Sequence, residues 1–79
     1  MKARVFVTLK PCVLDPQGAA IGDALEGMGF DGVESVRQGK VFEIEMAGGD
    51  EAAVREALDA MCRRLLANTV IEDYSVELV

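Results

Sequence analysis

Three stretches of alternating apolar and polar residues, separated by two stretches with helical spacing, constrain this 79-residue chain more than any other feature. In residues 2–10, Ala3, Val5, Val7 and Leu9 fall on one face and Lys2, Arg4, Thr8 and Lys10 on the other, the period-2 pattern of a strand with one buried face. Residues 33–47 alternate Phe42, Ile44 and Met46 against Val41, Glu43 and Glu45, and residues 70–79 alternate Tyr74, Val76 and Leu78 against Asp73, Ser75 and Glu77. Phe6 breaks the first pattern. An aromatic on the polar face needs cover, from a helix of this chain or from a second copy. Gly39 stands alone in the second stretch and permits either a bulge in one long strand or the turn of a hairpin.

Between the first two strands, Asp15-Pro16 reads as an N-cap followed by proline at the first helical position, where a missing N–H costs nothing. Ile21, Ala24, Leu25 and Met28 then follow helical spacing, and Gly29 stands where a left-handed C-terminal residue is wanted. A helix over about residues 16–28 is predicted. Gly18 and Gly22, one turn apart, weaken it and leave room for another backbone to approach. Asp50 caps a second helix with apolar positions Val54, Ala57, Leu58, Met61, Cys62 and Leu65. Its opposite face carries Glu51, Arg55, Asp59 and Arg63 at i, i+4 steps, a solvated surface with weak ion pairs.

The order is therefore βαβαβ, or βαββαβ if Gly39 makes a hairpin. The expected fold class is α+β: one domain over residues 1–79, a small sandwich whose antiparallel or mixed sheet carries both helices on one face. So small a domain buries a modest fraction of its surface, and association is expected to supplement its stability.

Charge and composition then exclude several function classes. The formal net charge of -6 disfavours nucleic acid as a partner. No apolar run approaches the ~20 residues that span a bilayer, and no targeting segment is recognisable, so a cytoplasmic location is expected. The chain has no histidine, and Cys12 and Cys62 are far apart, which leaves zinc and redox motifs without their usual ligands and predicts two free thiols. Ser-His and Cys-His nucleophile pairs are likewise excluded within the chain. Glu43, Glu45, Glu51, Glu56 and Asp59 read as solubility charges, and neither P-loop nor GxGxxG spacing occurs among the glycines. Lys10, Arg37 and Lys40 form either a small basic cluster for an acidic or phosphate-bearing partner, or scattered surface cations.

Three segments combine specific polar residues with turn formers: residues 13–18 (VLDPQG), residues 36–43 (VRQGKVFE) and residues 65–77 (LLANTVIEDYSVE). In order and spacing they resemble the signature segments of the PurS family, the small subunit of phosphoribosylformylglycinamidine (FGAM) synthase, over essentially the whole chain. Two positions depart from the family pattern. Cys12 stands where glycine is expected before VLDPQG, and Thr69 where proline is expected after LLAN, which puts the local loop geometry in question.

The resemblance implies a part in de novo purine biosynthesis, in the glutamine- and ATP-dependent conversion of formylglycinamide ribonucleotide to formylglycinamidine ribonucleotide. In such systems a PurQ glutaminase releases ammonia and a PurL synthetase binds ATP, magnesium and the ribonucleotide. The small subunit forms dimers or tetramers, bridges the other two and helps keep ammonia from escaping. It implies no catalytic residue, cofactor or metal in this chain. Candidate subunit-contact residues are Phe6, Asp15, Gln17, Gly18, Arg37, Lys40, Asn68, Glu72, Asp73 and Tyr74. Asp15 would first have to cap the helix, Asn68 offers donors and acceptors, and Tyr74 offers apolar area with a polar tip. Two rivals share the size and element order: an ACT-like module binding an amino acid, and an acylphosphatase-like enzyme, for whose phosphate-cradling loop the chain shows no counterpart.

Overall fold

A computed structural model describes residues 1–79 as β1 (Lys2–Leu9), α1 (Pro16–Gly27), β2 (Gly39–Glu45), α2 (Glu51–Met61) and β3 (Glu72–Leu78). The α+β class and the βαβαβ order follow the sequence reading. β1 is the central strand of a three-stranded sheet of order β2-β1-β3, and both pairings are antiparallel. Val5 lies opposite Phe42 on one side and Val76 on the other, so the alternating apolar residues of all three strands share a face.

α2 covers that face. Ala3, Val54 and Leu58 form one buried cluster, and Val5, Val7, Cys62 and Ala67 form the other. The expected Asp50 cap is present, its carboxylate accepting from the Ala52 N–H at 3.1 Å. Past Met61 the helix widens into a π-helical turn, Cys62–Leu66, closed by the Ala67 N–H donating to the Cys62 carbonyl at 2.9 Å. The extra residue per turn alters the phase expected from a 3.6-residue repeat. Cys62 is buried as predicted, but Leu65 turns out to solvent at 84% exposure and Leu66 takes the inward place.

Two further expectations are corrected. Gly39 is neither a bulge nor a hairpin turn: it opens β2, and residues 33–38 before it belong to no strand. A Cβ at Gly39 would lie 2.8 Å from both the Val7 carbonyl oxygen and Thr8 Cγ2, so the close approach to β1 is what requires glycine. Nor do both helices cover one face within the chain, because α1 contributes no residue to either core cluster. α1 and residues 30–36 instead form an arm beyond the sheet, and the molecule measures 48 × 25 × 14 Å.

The arm is locally well built. Asp15 caps α1 with Pro16 at its first position. At the other end Gly29 adopts φ +98°, the Phe30 N–H reaches the Leu25 carbonyl at 3.1 Å and the Gly29 N–H reaches Glu26 at 3.0 Å, the two bonds of a Schellman motif. Gly18 and Gly22 do admit a close neighbour. A Cβ at Gly18 would stand 2.4 Å from the Val36 carbonyl oxygen, and one at Gly22 would stand 3.6 Å from Val36 Cγ2.

Candidate subunit-contact surface

The three signature segments meet at the junction between sheet and arm. Asp15 is buried there and serves both: Oδ1 accepts from the Gly18 N–H at 2.8 Å and Oδ2 accepts from the Gln38 N–H at 2.6 Å. These bonds, Gln38 first, hold its pKa below the usual carboxylate value, with Arg37 adding in the same direction and burial opposing. Gln17 Oε1 accepts from Gln38 Nε2 at 2.8 Å. Arg37 Nη2 donates to the Lys10 and Val13 carbonyls, each at 2.9 Å. Two segments about twenty residues apart in sequence are thus clasped through side chains onto backbone.

The third segment closes the same corner. Asn68 builds its turn: Oδ1 accepts from the Val70 N–H at 3.2 Å, the carbonyl accepts from Ile71 at 3.0 Å and Glu72 at 2.7 Å, and the Asn68 N–H donates to Glu72 Oε1 at 2.7 Å. Glu72 also faces Lys40 at 3.9 Å, and the Lys40 ammonium stands 5.9 Å from the centre of the Phe42 ring. An open cleft of about 290 Å³ lies between Asp15, Gln17, Gln38, Lys40 and Glu72, with Val7 in its floor.

The predicted contact residues therefore separate into two kinds. Asp15, Gln17, Gly18, Arg37, Lys40, Asn68 and Glu72 come together at this junction, and their polar groups are engaged by the chain itself. Lys10, Arg37 and Lys40 consequently do not act as one free basic cluster: Arg37 is committed to carbonyls and Lys40 faces Glu72. Tyr74 is half-buried on the helix side of the sheet, its hydroxyl donating to Asp59 Oδ1 at 2.5 Å. Phe6 and Asp73 lie apart from the junction on the outer sheet face, Phe6 between Val41 and Ser75, and Asp73 exposed opposite Thr8.

No helix of this chain covers the outer face, so the ring of Phe6 is only half-buried. Val41 beside it is 54% exposed, an apolar neighbour that the alternation of β2 placed on that face without marking it as a contact.

The PurS model of FGAM synthase matches residues 2–79. The chain belongs to the PurS family. A PurS subunit of phosphoribosylformylglycinamidine synthase from Synechocystis sp. is 51% identical over 75 residues, covering 95% of this chain and 75% of that protein. The crystal structure of PurS from Methanocaldococcus jannaschii, one of the subunits of formylglycinamide ribonucleotide amidotransferase in the purine biosynthetic pathway, is 42% identical with a TM-score of 0.87, covering 96% of this chain and 92% of that one. PurS-like architecture also recurs in the PurLQS structure from Thermotoga maritima, at 28% identity and a TM-score of 0.91, over 99% of this chain and 95% of that one. The signature segments that carry the PurS resemblance are thus the ones that build the junction.

Proposed function

We propose that this chain is a non-catalytic assembly subunit of FGAM synthase, self-associating and bridging a PurL synthetase and a PurQ glutaminase in the cytoplasm. Full-length similarity to PurS subunits, one of them in a PurLQS structure, carries the reading. The way the signature residues spend their polar groups supports it. Asp15, Arg37 and Asn68 bond chiefly to the chain's own backbone, which shapes a surface and leaves them little capacity for moving protons or holding a phosphate. ATP, magnesium and glutamine belong to the partner subunits in this reading. No helix is long and apolar enough to cross a membrane.

The chemistry asks for such a part. Ammonia released at one active site must reach an activated amide at another before it is protonated or lost, so the two enzymes have to be held in register. The test is glutamine-dependent synthesis of formylglycinamidine ribonucleotide by matching PurL and PurQ, with and without this chain, together with size-exclusion chromatography of the mixture. Activity and a joint complex that both require the chain are expected. Equal activity without it, and no joint complex, would overturn the proposal.

A further inference from the structure

The cleft at the junction, about 290 Å³, has an apolar floor of Val7, which is buried, and Leu9, which is half-buried. Around that floor stand a cation, a carboxylate and two uncharged amides, from Lys40, Glu72, Gln17 and Gln38. Each of these four side chains has bonding capacity that the chain does not use.

Glu72 is the most constrained of them. Its side chain is 15% exposed. Oε1 accepts from the Asn68 N–H at 2.7 Å, whereas Oε2 has the Lys40 ammonium at 3.9 Å as its nearest cation. That separation is too long for a hydrogen bond. A largely buried carboxylate oxygen therefore lacks a bonded donor, and the ammonium across from it lacks a bonded acceptor, which is a costly way to leave two charges. A molecule carrying an ammonium and a carboxylate on one carbon completes both, with its ammonium on Glu72 and its carboxylate on Lys40.

The two amides are half-paired in the same way. Gln17 Oε1 accepts from Gln38 Nε2 at 2.8 Å, one of the two bonds that a pair of amides can exchange. The reciprocal bond is not made, so Gln17 Nε2 is left as a donor and Gln38 Oε1 as an acceptor. A primary carboxamide presents the matching acceptor and donor in one planar group.

Size and charge narrow the ligand further. The volume lies at the lower limit of the roughly 300–1,000 Å³ of small-molecule sites, which suits a molecule of amino-acid size. A simple anion would face Asp15 and Glu72, and a simple cation would face Lys40. We propose that the cleft binds a free α-amino acid whose side chain ends in a primary carboxamide, glutamine or asparagine. Its methylenes lie over Val7 and Leu9, and its carboxamide lies between Gln17 and Gln38. Binding is a property of the chain alone and does not rest on the assembly role, so its failure leaves that role standing.

Titration of the isotope-labelled full chain with L-glutamine, L-asparagine and L-glutamate, followed by heteronuclear NMR, tests this. For an amide amino acid, saturable shifts are expected at the side-chain amides of Gln17 and Gln38 and at the backbone of Leu9 and Lys40, with Kd on the order of 1 mM for so open a cleft. Glutamate is nearly isosteric but sets a carboxylate against Gln38 Oε1, and should bind about tenfold more weakly or worse. Glu72→Gln keeps the Oε1 acceptor for Asn68 and removes the charge, and Lys40→Met removes the opposite one. Each should weaken binding by about tenfold or more, with the spectrum away from the cleft as the folding control. Should one variant unfold, the other and the glutamate comparison decide. No saturable shift up to about 20 mM ligand, equal binding of glutamate, or affinity indifferent to the variants would overturn the assignment.

Discussion

Asp15 Oδ2 accepts a 2.6 Å hydrogen bond from the Gln38 backbone N–H while Oδ1 caps α1. One carboxylate therefore sets both the start of the arm and the entry into β2. It is the link between what the chain builds locally and how its two parts are oriented.

Asp15→Asn keeps an acceptor for the Gly18 N–H but sets an amide NH2 donor against the Gln38 N–H, which needs an acceptor, and should lower Tm by about 5–10 °C. The folded-state pKa of Asp15 lies below its unfolded value. Its stabilisation is therefore complete above the unfolded pKa and is lost as pH falls through the lowered folded one. Urea titrations between about pH 7 and pH 2 should show the gap between wild type and variant closing on acidification. A gap that stays constant would contradict this role for the carboxylate.

Gly18→Ala and Gly27→Ala should move in opposite directions although both lie in α1. At Gly18 the added methyl would meet the Val36 carbonyl oxygen at 2.4 Å and Asp15 Oδ2 at 2.6 Å, whereas at Gly27 nothing lies within 4 Å. A loss of roughly 2 kcal/mol is expected at Gly18, and a gain of up to about 1 kcal/mol at Gly27. Chemical denaturation compares them directly, and equal effects would show that helix propensity outweighs the close approach.

Tyr74→Phe keeps the ring and removes the donor to Asp59, so β3 loses a side-chain hydrogen bond to α2 and Tm should fall by about 5 °C. The hydrogen bond to Asp59, then burial, raise the Tyr74 pKa above the ordinary phenol value. Its contribution is thus complete below the unfolded pKa and is lost as pH rises through the folded one. Wild type should approach the Phe variant in stability at strongly alkaline pH, and parallel curves there would refute the assignment.

The two thiols should differ in reactivity. Cys12 is exposed and Cys62 is fully buried, its pKa pushed up by burial first and by Asp59 second. Ellman's reagent should titrate Cys12 in the native protein and Cys62 only after denaturant is added. Two thiols reacting at one rate would mean that the helix-sheet core opens far more readily than its packing implies.

The sequence by itself determined the elements, because their signals are local. Alternation about Val5, Phe42 and Val76 depends on neighbours two residues away, and the Asp15, Gly29 and Asp50 caps depend on groups within one turn. The signature segments identified the family, and Gly18 announced a close approach. Tertiary structure alone decided what approaches it, namely Val36, and that Asn68, Arg37 and Tyr74 spend their polar groups inside the chain. It also decided that the π-helical turn sends Leu65 outward and that α1 leaves the outer face of its own sheet uncovered. An apolar stripe records that a helix must be covered and carries no information about which surface covers it, since burial of apolar area has no direction. The choice between packing α1 on its own sheet and extending it was made by the junction at Asp15 and Gln38, a contact across 23 residues that no local pattern encodes.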